Sequence, residues 1–121
     1  MVRILVADDD QAILDSTQLL LEYEGYEVIA AYDGETIRKI EGNLPDVILL
    51  DIWLSGTDGV EIARFLKAQE HTRHIPIILF SANRNIESLA REAGVEDTLT
   101  KPFDMETLLQ KIQKYTPHHP L

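Results

Sequence analysis

The chain has 121 residues, 45% of them apolar, with 21 acidic against 11 basic side chains, a net charge of −10 and no cysteine. That length supports one domain with its own core; the charge disfavours nonspecific binding to nucleic-acid phosphates, and the missing cysteines exclude disulfides and thiolate metal sites. No apolar run approaches the ~20 residues that span a bilayer, and three aspartates break the N-terminal apolar run too early for a secretory signal, so a cytoplasmic protein without membrane contact is expected.

The first apolar run, VRILVA at 2–7, drives into Asp8, Asp9 and Asp10. It reads as a buried strand followed by a helix with a face of Ile13, Thr17 and Leu20, for which Asp10 suits the N-cap position. A second strand is expected at YEVIAA (26–31), then a turn at Asp33-Gly34 and a short helix marked by Ile37 and Ile40. DVILLD (46–51) is the third strand, Asp58-Gly59 a turn, and Ile62, Ala63 and Leu66 one face of the next helix. IPIILFSA (75–82) is the fourth strand, followed by a helix over 85–93 with the stripe Ile86, Leu89, Ala90 and Ala93. The weaker run DTLT (97–100) is the fifth, and Met105, Leu108, Leu109 and Ile112 give the core stripe of the last helix. The domain is expected over 1–116, with 117–121 as a short tail. The residues after the last helix leave no room for a DNA-binding or enzymatic output domain, which is expected either of a stand-alone domain acting through protein contacts or of a fragment of a larger regulator.

Five strands alternating with five helices predict an α/β fold, a parallel sheet covered on both faces. Central strands buried on both sides read as unbroken apolar runs, as 47–50 and 77–80 do. Right-handed crossovers bring every strand C-terminus to one edge, where open α/β sheets bind their ligands. Asp8 and Asp9, Asp51, Ser81 and Lys101 each fall at or just past the end of a predicted strand. The three carboxylates would form an oxygen-rich pocket suited to a hard divalent cation such as Mg²⁺. Without metal, their repulsion is expected to raise at least one carboxyl pKa.

ILVADDD (4–10), DVILLDIWLSGTDG (46–59), PIILFSA (76–82) and TKPF (100–103), in this order and placement, resemble the receiver domain of the two-component response-regulator family. The resemblance implies a flavodoxin-like (βα)5 sheet of order 2-1-3-4-5. It implies that Asp51 accepts a phosphoryl group from a histidine kinase or histidine phosphotransfer protein. Asp8, Asp9, Asp51 and the main-chain carbonyl of Trp53 would hold Mg²⁺, or Mn²⁺ in its place. Ser81 and Lys101 would contact the phosphoryl group, and the bond before Pro102 would be cis. Self-phosphorylation and self-dephosphorylation would then be the only catalysis, in a monomer or a phosphorylation-dependent dimer with an unidentified downstream protein target.

This sequence departs from the family pattern at Thr98, where relatives commonly carry an aromatic residue that swings inward. Trp53 and Asn83, two residues past Asp51 and Ser81, occupy positions that tune access of the hydrolytic water in relatives. Ser55 stands where proline is common. His71, His74, His118 and His119 read as solvated side chains. The alternative is an Mg²⁺-dependent small phosphohydrolase with an aspartyl-phosphate intermediate, but that chemistry wants a second acid/base aspartate at position 53, which is Trp. A flavin carrier would suffer repulsion between its phosphate and the aspartates, and no Gly-rich phosphate loop is present.

Overall fold

A computed structural model describes residues 1–54, 56–82 and 84–116 of the chain. Seven strands and five helices follow one another among these residues: β1 (Arg3–Ala7), α1 (Gln11–Tyr23), β2 (Glu27–Ala31), α2 (Gly34–Arg38), β3 (Val47–Asp51), β4 (Trp53–Leu54), β5 (Thr57–Asp58), α3 (Gly59–Ala68), β6 (Ile77–Ser81), α4 (Ile86–Ala93), β7 (Asp97–Thr100) and α5 (Met105–Tyr115). β4 and β5 pair with each other in a small antiparallel hairpin, while the other five form one sheet of order β2-β1-β3-β6-β7. All four pairings in that sheet are parallel. This is the expected 2-1-3-4-5 order, with the hairpin interposed in the numbering.

Side chains alternate across a strand, so each face of the sheet has its own core. On one face Ile4, Val6, Leu49, Ile78, Phe80 and Leu99 pack against Leu14 and Leu21 of α1 and Leu108 and Ile112 of α5. On the other, Leu5, Ala7, Ile48, Leu50, Ile77 and Leu79 pack against α2, α3 and α4. β3 is buried throughout, as its unbroken apolar run requires. Each fully buried Leu or Ile contributes about 1.5–3 kcal/mol relative to leaving it exposed.

The helix boundaries follow from local chemistry. Asp10 caps α1 by accepting from the amides of Ala12 and Ile13, and its own N–H donates to Asp8 Oδ1 at 2.9 Å. Asp33, Asp58 and Asp104 cap α2, α3 and α5 in the same manner. Asp33-Gly34 and Asp58-Gly59, expected as turns, are thus caps followed by the first helical residue. α4 ends at Gly94, whose φ of 75° is a left-handed conformation that a side chain would strain. Asp10→Ala should lower stability by about 1 kcal/mol with the metal site left intact; chemical denaturation with and without Mg²⁺ checks both halves of that expectation.

Three helical faces differ from expectation in detail. The buried residues of α1 are Leu14, Thr17 and Leu21, one position along from the expected Ile13 and Leu20, which sit half-buried at the edge of the same cluster. Met105 opens α5 with 56% of its surface exposed, so the core stripe of that helix starts at Leu108. α2 ends at Arg38, and Ile40 packs against the core from beyond it. At the strand N-terminal edge, Lys67 donates to Ile75 O at 2.9 Å and to Glu96 Oε2 at 2.7 Å, while Glu96 Oε1 accepts the Ile77 amide. That cluster ties α3 to the start of β6, far from the strand ends that carry the aspartates.

Candidate functional site

The alternation that builds the core also builds the site. Val6, Leu49 and Leu99 face α1 and α5. Two residues further along each chain segment come Asp8, Asp51 and Lys101, which fall on the same face at the sheet's C-terminal edge. Register β1 to β3 aligns Val6 with Leu49, so the next step aligns the two aspartates. Asp8 is wholly buried and Asp51 nearly so, at 0% and 8% exposure.

The Lys101 ammonium sits between them, 2.9 Å from Asp8 Oδ2 and 3.1 Å from Asp51 Oδ2. Asp9, at the exposed rim, completes a group in which Asp8, Asp9 and Asp51 each offer an oxygen within 4.8 Å of the others. The Trp53 amide donates to Asp51 Oδ1 at 3.4 Å. This all-carboxylate donor set fits Mg²⁺, which takes one or two carboxylates and keeps several waters. Ser81 ends β6, paired in register with Thr100, and the Lys101–Pro102 bond is cis. The expected site residues Asp8, Asp9, Asp51, Trp53, Ser81, Lys101 and Pro102 are therefore gathered at one edge. Asn83, Ser55, His118, His119 and the rest of the 117–121 tail lie outside the described residues. His71 and His74 are exposed, away from the strand ends.

Burial pushes the Asp51 carboxyl above its ordinary pKa; the Lys101 hydrogen bond and charge oppose that push, and Asp8 adds to it. The expected repulsion between carboxylates is thus real but secondary to desolvation. Burial alone would lower the Lys101 pKa, but its bonds to Asp8 and Asp51 outweigh that and raise it. The ammonium is held charged by the carboxylates it neutralises.

Two contributors escaped the sequence reading. Gly59 fits under the backbone that follows β3: a Cβ at this position would lie 2.1 Å from Asp51 O and 2.9 Å from Ile52 Cα. Its amide donates to Ile52 O at 2.5 Å. The Asp-Gly pair was legible as a turn but not as a close approach, because contact with residue 52 is a property of the fold. The second is Phe80, the register partner of Asp51 on β6. Its ring lies beneath the Lys101 ammonium, 4.8 Å from nitrogen to centroid.

Thr98 is buried on β7 and donates its hydroxyl to Glu87 Oε1 of α4 at 2.7 Å. Next to it, burial would raise the Asp97 carboxyl, but the Lys111 hydrogen bond, the Thr98 amide and the Tyr115 hydroxyl hold it below its ordinary range. Beside the site, an apolar groove of about 500 Å³ runs between Ile13, Thr17 and Leu20 of α1 and Pro102, Phe103 and Met105.

Residues 4–113 match the family described as the response regulator receiver domain. The chain belongs to that family. Among curated relatives of the receiver, the response regulator PleD of Caulobacter vibrioides is 40% identical over 117 residues, covering 94% of this chain and 26% of that protein. The CAI-1 autoinducer sensor kinase/phosphatase CqsS of Vibrio cholerae is 39% identical over 114 residues, covering 91% of this chain and 17% of its own length. The receiver therefore spans about a quarter or less of these relatives. The receiver domain of a sensor histidine kinase from Pseudomonas aeruginosa, solved with a magnesium ion coordinated in its active-site cleft, superposes with a TM-score of 0.82 at 29% identity, covering 94% and 96% of the two chains. The chain is thus a phosphoacceptor module of two-component signalling, and the phosphohydrolase alternative finds no support in these likenesses. Receivers bind Mg²⁺ in acidic pockets and interact with histidine kinases or phosphotransfer proteins. No helix among the described residues is long and apolar enough to cross a membrane.

Proposed function

We propose that this receiver takes its phosphoryl group on Asp51, in an Mg²⁺-dependent step, and that the change at Asp51 switches contacts with a downstream protein. The observation that carries the assignment is a buried aspartate whose oxygen lies 3.1 Å from the ammonium of Lys101, with two further carboxylates at hand. An ionised carboxylate needs no general base to act as a nucleophile. An Asp51 oxygen attacks phosphorus in line while the bond to the donor's imidazole nitrogen breaks, and that nitrogen keeps the electron pair. Asp8, Asp9, Asp51 and the Trp53 carbonyl are the groups that would hold Mg²⁺, or Mn²⁺ in its place. Bound there, the ion neutralises charge on the phosphoryl oxygens.

The chain's own residues do the rest. Lys101 exchanges its carboxylate partners for a phosphoryl oxygen, supplying positive charge where negative charge gathers. Ser81 offers its hydroxyl to another phosphoryl oxygen. Trp53, 57% exposed at the mouth of the site, shields the acyl phosphate, and Asn83 tunes access of the hydrolytic water. The apolar groove along α1 leads directly to Lys101, which suits docking of the histidine-bearing donor. Added phosphoryl charge and acceptor oxygens draw Ser81 inward and shift the segment leading into α4. Thr98 carries no ring to swing, so Thr98→Ala should alter partner binding less than Ser81→Ala does.

Incubation with acetyl phosphate and Mg²⁺, followed by intact mass measurement, tests the assignment. A phosphoryl increment that vanishes in Asp51→Ala is the expected outcome. An adduct that persists in that variant overturns Asp51 as the acceptor.

A further inference from the structure

Lys101 must leave Asp8 and Asp51 when a phosphoryl group arrives, yet stay above the site while its partners exchange. On its remaining inner side lies an aromatic face. The ammonium is 4.8 Å from the centroid of Phe80, well inside the ~6 Å range of cation–π attraction. Phe80 is 1% exposed and the Lys101 side chain 19%, so water screens the contact only from the ammonium's outer side. Its ring is itself oriented: Phe103, two residues after Lys101, stands edge-on to it at 6.0 Å between centroids with an interplanar angle of 80°. That T-shaped arrangement is the favoured one for an aromatic pair.

The backbone explains why the ring is there. Phe80 is the β6 partner of Asp51 and the residue before Ser81. It belongs to the same core face as Leu49 and Leu99, the residues two before Asp51 and Lys101. The core's demand at that position is only for an apolar side chain, which an aliphatic residue would also meet, though with less volume. Only an aromatic one gives the ammonium an attractive surface that survives loss of both carboxylate partners.

We propose that Phe80 is a positioning residue for phosphoryl transfer, its ring face holding the Lys101 ammonium over the site while that ammonium passes from Asp8 and Asp51 to the phosphoryl oxygens. The proposal rests on the assignment of Asp51 as acceptor. Phe103 serves the same end one step removed, by fixing the plane of the ring.

The test replaces Phe80 with phenylalanines carrying one, two and three ring fluorines, which keep the shape of the ring and progressively weaken its negative face. The rate of phosphorylation by acetyl phosphate at saturating Mg²⁺ should fall in graded steps, about three- to tenfold across the series for a contact of this class. Equal melting temperatures across the series separate the effect from a packing defect. An independent readout is the NMR shift of the Lys101 ε-methylene protons. These should lie upfield of those of Lys111 and lose that displacement in Phe80→Leu. A flat or rising rate across the series overturns the proposal, as does an unshifted Lys101 resonance in the native protein. A native protein that takes no phosphoryl group at all, with the upfield resonance present, would instead remove the Asp51 assignment on which the proposal stands.

Discussion

Replacing Lys101 with methionine is expected to destabilise the metal-free protein by about 3 kcal/mol, or about 10 °C in melting temperature. Methionine keeps much of the aliphatic stem, so the loss is chiefly electrostatic. The Asp8 side chain is 1% exposed and that of Asp51 12%, and Lys101 bonds both. Without it two buried carboxylates face each other with no counter-charge. Mg²⁺ should then recover more stability in the variant than in the native protein, because the cation replaces the missing ammonium. Phosphorylation by acetyl phosphate should nonetheless stay about a hundredfold slow, since Mg²⁺ does not supply the lysine's own donor. Thermal melts at several Mg²⁺ concentrations, set beside the phosphorylation rate, separate the two effects. Equal Mg²⁺ stabilisation of both proteins would contradict this account.

The same variant has a predictable pH dependence. Burial already raises the Asp51 pKa, and Lys101 opposes that rise. Removing Lys101 moves the folded-state pKa further above the unfolded value. The folded form then binds its proton first, so stability falls as pH rises through the interval between the two values. The stability gap between Lys101→Met and the native protein should therefore narrow on acidification and be widest at neutral pH.

Gly59→Ala should be nearly as damaging, for a steric reason. The added carbon would lie 2.1 Å from Asp51 O and 2.9 Å from both Ile52 Cα and Ile52 O. These are backbone atoms, so no side-chain rotation relieves the clash. Either α3 or the segment after β3 must move, at a cost of about 3 kcal/mol. Motion of that segment carries the Asp51 carboxylate and the Trp53 carbonyl with it. A displacement of even ~1 Å can cost a hundredfold in rate where reacting groups must align. The expected result is a lowered melting temperature together with phosphorylation slowed at least about tenfold. A wild-type rate at an unchanged melting temperature would show that the loop after β3 absorbs the strain without moving Asp51.

Much of this was legible in the sequence because it depends on period and order. Unbroken apolar runs at 47–50 and 77–80 announced buried parallel strands, and polar residues at strand ends announced a shared edge. Asp10 was legible as a cap because capping is local. The short hairpin of Trp53–Leu54 and Thr57–Asp58 was not, since two-residue strands carry no periodic signal. The offset on α1 arose because Ile13 and Leu20 border the same apolar stripe as Leu14 and Leu21, and packing alone decides which pair points inward. Gly59 and Phe80 act through residues distant in sequence, Asp51 and Lys101, and contacts of that kind appear only after folding. Thr98 was legible as a departure, but its bond to Glu87 depends on where α4 rests against β7.

The two-residue step from Val6 to Asp8, from Leu49 to Asp51 and from Leu99 to Lys101 makes the charged set one more rung of the core. Its facing is therefore inherited from the hydrophobic ladder beneath it. Inserting a single residue into β3 above Leu49 would turn Asp51 toward α3 and swing an apolar neighbour into its place. Inserting two would restore the facing but lift the carboxylate a full rung, about 6–7 Å, out of reach of Lys101. Length in these three strands is thus quantised by the chemistry at their ends, whereas the connections at the opposite edge are free of that constraint.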